Sequence, residues 1–162
     1  MFNPQIPLVH DKPGALAGLL DQTRALLSGE RDMTANAANL TSLIFHTLPD
    51  LNWAGFYWLR GNELVLGPFQ GKPACVRIAM GKGVCGTAAV RRETIIVPNV
   101  HEFPGHIACD SASESEIVVP VIKGGRLIGV LDLDSPRLAR FDTADARGLE
   151  AVVAYFAEAT DL

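Results

Sequence analysis

The sequence predicts an α+β fold: a mainly antiparallel sheet of about six strands with flanking helices. Three observations predict it. Two apolar stretches of helical period open the chain, a series of short strand-like runs joined by tight turns follows, and a capped helical stretch closes it. Strands linked by tight turns pair antiparallel, and the helices are expected to cover one face of the sheet.

Taken in order, residues 13–27 carry Leu16, Leu19, Leu20, Leu26 and Leu27 at helical spacing, with Pro13 suited to a first turn and Gly29 ending the run. Asp32 is placed to cap a second helix to about residue 48, with Leu40, Leu43 and Ile44 on its apolar face and Pro49-Asp50 stopping it. Residues 53–59 are bulky and aromatic, a strand by composition. Gly61-Asn62 turns the chain into a second strand over 63–66, and residues 67–73, with two Pro and two Gly, are expected to be a loop. A short strand is expected over 75–79 and a small helix over 84–91, after Gly81-Lys82-Gly83. Residues 94–97 form a strand closed by Pro98. Residues 99–115 show no periodicity, and a loop of that length usually carries function or is disordered. Strands over 116–122 and 127–134 flank Lys123-Gly124-Gly125-Arg126, a strong hairpin signal. Asp142 or Thr143 caps the last helix, which runs to about residue 159.

At 162 residues the chain fits one domain and can bury roughly 70% of the surface its unfolded form exposes. Hydrophobic residues at 48% and charged residues at 20% exclude a disordered or collagen-like chain. The net charge is −4, and no Lys/Arg run exceeds Arg91-Arg92, so neither nucleic acid nor an anionic membrane is an expected partner. No stretch approaches the ~20 apolar residues of a membrane span. The first residues lack a basic segment followed by an apolar one, so a cytoplasmic location is expected.

Chemistry has three candidate seats. The first is the cysteines, Cys75, Cys85 and Cys109. They stand 10 and 24 residues apart, which matches neither a CxxC motif nor paired zinc knuckles, and no metal is expected. Cys109 lies in the long loop, Asn99-Val100-His101-Glu102-Phe103-Pro104-Gly105-His106-Ile107-Ala108-Cys109-Asp110, where a thiol is more accessible than on an apolar strand. His106, three residues earlier, is either a solvated loop residue or local support for a Cys109 thiolate. The second seat is a set of carboxylates. Strand alternation puts Asp132 and Asp134 on one face, opposite Leu131 and Leu133, so the two acids face a cavity or water; Glu116 opens the preceding strand. Two acids on one face repel, and a ligand ammonium would relieve that repulsion. The third is Trp53 and Tyr57, which share a strand face and by default pack a core.

Together these stretches resemble the GAF-domain free methionine-(R)-sulfoxide reductases. The resemblance is carried by Asn52-Trp53, Gly55-Phe56-Tyr57, Gly67-Pro68-Phe69-Gln70-Gly71, Ala74-Cys75-Val76-Arg77-Ile78, Gly81-Lys82-Gly83-Val84-Cys85-Gly86-Thr87-Ala88, Phe103-Pro104-Gly105-His106-Ile107-Ala108-Cys109-Asp110, Ser115-Glu116-Ile117-Val118-Val119-Pro120 and Gly129-Val130-Leu131-Asp132-Leu133-Asp134-Ser135-Pro136. It implies one GAF domain over 1–162, with an N-terminal helix within 1–27, a catalytic core over about 28–141 and a C-terminal helix over 142–160. It also implies reduction of free methionine-(R)-sulfoxide through a sulfenic acid and an intramolecular disulfide. By resemblance Cys109 is the nucleophile, Cys75 the resolving thiol, and Cys85 an alternative resolver or relay. Glu116 and Asp134 hold the sulfoxide oxygen, Asp132 binds the substrate ammonium (a task Asp134 can share), and Trp53 and Tyr57 wall the methyl group. No cofactor is implied beyond an external dithiol such as thioredoxin. The alternative is a non-catalytic GAF sensor module that binds a small ligand, disfavoured because one domain leaves no output domain to regulate. A homodimer through the terminal helices is open, since those helices can equally pack on their own sheet.

Overall fold

The computed structural model describes residues 11–106 and 110–162. Cys109 therefore lies outside the described residues. Among the described residues four α-helices, α1 (Lys12–Leu26), α2 (Met33–Thr47), α3 (Gly83–Arg91) and α4 (Thr143–Ala159), flank six strands: β1 (Trp53–Arg60), β2 (Glu63–Gly71), β3 (Arg77–Ala79), β4 (Ile95–Val97), β5 (Ser115–Lys123) and β6 (Arg126–Ser135). The strand order is β3-β2-β1-β6-β5-β4, antiparallel at every pairing.

Local chemistry accounts for the boundaries. The Asp11 side chain accepts from the Gly14 N–H at 2.6 Å, with Pro in the first turn of α1. Asp32 caps α2 through the Ala35 N–H at 2.8 Å. Asp142 caps α4 in a capping box closed by the Asp145 carboxylate on the Asp142 N–H. At the β5–β6 turn Gly124 and Gly125 have φ of 57° and 77°, the two left-handed positions a tight hairpin demands.

Three expectations need correction. Residues 67–71 are not loop but the second half of β2, pairing with β1 as far as Trp53 opposite Gly71. Gly55 pairs with Phe69 and Tyr57 with Leu66, so Gly67 and Pro68 together oppose Phe56 in a bulge. A bulge is where a strand tolerates a proline that cannot donate to the ladder. The strand expected over 75–79 in turn contracts to Arg77–Ala79.

Helices also cover both faces, not one. On one face α1, α2 and α4 pack over Ala54, Phe56, Trp58, Ile117, Val119, Leu131 and Leu133. Phe156 of α4 stacks on Phe56 with centroids 4.9 Å apart. In this layer α4 lies on the sheet and α1 packs on α4 and α2, burying Leu16 and Leu19 with Leu149, Val152 and Phe156 in one core. On the other face α3 contributes Val84, Cys85, Ala88 and Ala89 to a second cluster with Trp53, Tyr57, Val118 and Val130. The physical reason lies in β1, where residues from Trp53 to Trp58 are buried whichever way they point. Among the described residues no helix is long and apolar enough to cross a membrane.

Candidate active site

The α3 side of the sheet carries the polar groups. Asp134 pairs with Trp53 on β1 and with Glu116 on β5, while Asp132 pairs with Gly55 and Val118, so the three acids and the Trp53 ring start from one patch of one face. Leu131 and Leu133 point into the opposite core, as alternation requires. The acids floor a partly open cavity of about 40 Å³, whose wall includes Trp53, Tyr57, Ala74, Cys85, His106 and Ser113. That volume holds roughly three waters.

Trp53 stacks against Phe69 with centroids 5.4 Å apart and on Tyr57 at 5.9 Å. It can lie flat only because residue 55 is glycine: a Cβ there would collide with the indole and stand 2.5 Å from the Phe69 Cβ. The indole N–H donates to the Lys72 carbonyl at 3.1 Å, and the Tyr57 hydroxyl donates to the Cys75 carbonyl at 2.9 Å. Both rings thereby anchor the segment between β2 and β3. Cys75 on that segment is disulfide-bonded.

Cys85 is a free, buried thiol on the first turn of α3, with Sγ 4.0 Å from Glu116 Oε1. Ligand atoms of Cys85, Glu116 and Asp132 all lie within 4.8 Å of one another, the group among the described residues that could hold a metal ion. Burial, then the charges of Asp132 and Glu116, push the Cys85 thiol up. Burial also pushes all three carboxyls up. Asp132 rises to about 7, held back by hydrogen bonds with Cys85 and Glu116. Glu116 and Asp134 rise well above the carboxylate range, with the Asp132 charge adding to burial. Groups this close share protons, so titration belongs to the cluster. Asp132 Oδ1 is buried with no hydrogen-bond partner, and so is His106 Nδ1, 3.7 Å from Glu116 Oε2. Burial, then His101, lowers the His106 pKa.

The structure thus brings Trp53, Tyr57, Cys85, Glu116, Asp132 and Asp134 to one cavity, with Cys75 beside it. Sequence reasoning missed Asn52, Lys72, Asp110 and Ser113. Asn52 Nδ2 donates to Asp110 Oδ2 at 3.3 Å and to Ser113 Oγ at 3.0 Å, and Lys72 Nζ reaches Asp110 Oδ1 at 3.1 Å. The Ala112 N–H and then Lys72 hold the Asp110 carboxyl below its usual range.

The GAF-domain family model matches residues 34–161. The free methionine-R-sulfoxide reductase of Escherichia coli is 53% identical over 130 residues, 80% of this chain and 79% of that protein. The chain belongs to the GAF-domain free methionine-R-sulfoxide reductase family. The member from Saccharomyces cerevisiae is 47% identical over 148 residues, 86% of this chain and 82% of that one. The X-ray structure of the Neisseria meningitidis free methionine-R-sulfoxide reductase in complex with its substrate superposes with a TM-score of 0.94. It is 40% identical, over 98% of this chain and 95% of that one.

Proposed function

We propose that this chain reduces free L-methionine-(R)-sulfoxide to methionine, with Cys109 as nucleophile, Cys75 as resolving thiol and thioredoxin as the dithiol that restores both. The observation that carries the reading is the pairing of a disulfide-bonded Cys75 with a cavity floored by three buried carboxyls. A family of relatives named for this reaction supports it.

The Cys109 thiolate attacks the sulfoxide sulfur as a carboxylic acid gives its proton to the oxygen. Methionine leaves, and Cys109 becomes a sulfenic acid. Cys75 then displaces water from that sulfur, forming the Cys75–Cys109 disulfide, and thioredoxin returns two electrons and two protons. Burial raises all three carboxyls, so the cluster as a whole keeps a proton to donate near neutral pH; Glu116 and Asp134 take the sulfoxide oxygen and Asp132 the ammonium. Trp53 and Tyr57 face the methyl group. Cys85, buried beside two acids, is a poor source of thiolate, which favours Cys75 as resolver and leaves Cys85 the alternative. The reaction needs no bound cofactor. The chain acts as one GAF domain, in a cytoplasm that supplies thioredoxin.

The test is NADPH oxidation coupled through thioredoxin reductase and thioredoxin. Turnover with the free R-sulfoxide and a much lower rate with the S isomer support the proposal. Binding of the sulfoxide without turnover would instead make the chain a sensor module.

A further inference from the structure

The carboxylate cavity holds a donor set that the reduction does not use as a set. We propose that, while it holds no sulfoxide, it takes one thiophilic divalent cation of the Zn2+ class on Cys85 Sγ, Glu116 and Asp132, and that this ion excludes the substrate. Exclusion rests on the reading of the cavity as the substrate site; cation binding does not.

Geometry carries the inference. The three donors come from three separate elements, α3, β5 and β6. Their ligand atoms lie within 4.8 Å of one another. A tetrahedral ion with Zn–S of about 2.3 Å and Zn–O of about 2.0–2.2 Å sets neighbouring donors roughly 3.3–3.7 Å apart. Cys85 Sγ and Glu116 Oε1, at 4.0 Å, are within a small rotamer adjustment of that spacing. Asp132 is more than nine-tenths buried, and its Oδ1 has no partner, the condition of a ligand atom lacking its ion. The cavity of about 40 Å³ leaves room for a water in the fourth position. His106 Nδ1, equally without a partner, stands 3.7 Å from the far oxygen of Glu116, where a small shift lets it steady that carboxylate from outside the donor set. On binding, Cys85 and any protonated carboxyl release their protons to solvent, and no electrons move. A thiolate in the set selects Zn2+ or Co2+ over Mg2+ and Ca2+.

The experiment uses the Cys75→Ser/Cys109→Ser protein, in which Cys85 is the sole remaining thiol, titrated with Co2+ without oxygen. The expected result is one Co2+ per chain with a thiolate-to-cobalt charge-transfer band, bleached by Zn2+, untouched by Mg2+ and displaced by free methionine-(R)-sulfoxide. Adding Cys85→Ser, or Cys85→Ala as a second replacement, abolishes the band and weakens Zn2+ binding by more than the about 10–100-fold that losing an outer partner typically costs. Absence of the band or its survival without Cys85 overturns the cation site; in a chain that turns over the sulfoxide, a band indifferent to sulfoxide overturns the exclusion. A cobalt band with no turnover in the wild-type chain would sink the reductase reading and leave the cation site standing.

Discussion

Lys72 Nζ lies 3.1 Å from Asp110 Oδ1, tying the segment that carries Cys75 to the residue that follows Cys109. The same carboxylate accepts from Asn52 Nδ2, on the residue just before β1. Lys72 is largely exposed, so solvent screens the ion pair and its own contribution to stability is small. Asp110 is the more embedded partner and the hub. Asp110→Ala should therefore lower kcat by about 10–100-fold, since displacing a reacting group by about 1 Å costs that order, while Lys72→Ala costs far less and thermal stability changes little in either. Stopped-flow kinetics of disulfide formation checks this. Equal losses in both variants would mean the Lys72 pair, and not the Asn52 contact, orders the loop.

Stability of the reduced, ligand-free protein should fall as pH rises. Each cluster carboxyl has a folded pKa above its unfolded one, so between the two the native state binds more protons and loses stability with pH. For Asp132 the window runs from about 4 to about 7, and for Glu116 and Asp134 it extends higher. Urea melts at pH 5 and pH 8 give the slope, which Asp132→Asn should flatten. A stability that rose across this window would contradict the burial of three acids.

Glu116→Gln and Asp134→Asn should lower kcat by about 10²–10⁴-fold with modest change in KM, because a positioned acid acts as the S–O bond breaks. Asp132→Asn should act mainly on KM, since an ammonium contact is made alike in ground and transition states. The wild-type rate should fall above the pH at which the cluster loses its donated proton. Steady-state kinetics against pH decides it, and unaltered profiles in the first two variants would assign oxygen activation to other groups.

Gly55→Ala should raise KM severalfold and quench or shift Trp53 fluorescence. The new methyl would occupy the space of the indole, which must tilt out of its stack with Phe69 and Tyr57. Unchanged fluorescence and KM would show that the wall does not depend on that stack.

Much of this was legible in the sequence where one residue type answers one local demand. Asp32 and Asp142 cap helices, Gly124-Gly125 closes a hairpin, and the alternation of Asp132 and Asp134 with leucines sorts acid from core. The rest depends on tertiary context. Gly67-Pro68 reads as a loop until the bulge opposite Phe56 gives it a place inside a strand. The second helical layer was foreshadowed by the unbroken apolar run of β1, but α3 is too short to announce which face it covers. Lys72 and Asn52 meet Asp110 from 38 and 58 residues away, and no spacing rule connects those positions.

In the proposed reaction Cys109 attacks the sulfoxide and Cys75 resolves the product. Fully reduced protein, mixed with excess free methionine-(R)-sulfoxide and no external dithiol, tests it most directly by counting methionine released and mapping the thiols consumed. The expected result is one methionine per chain, loss of the Cys75 and Cys109 thiols, and a Cys85 thiol still titratable after unfolding; methionine formed with Cys109 still reduced would overturn the assignment.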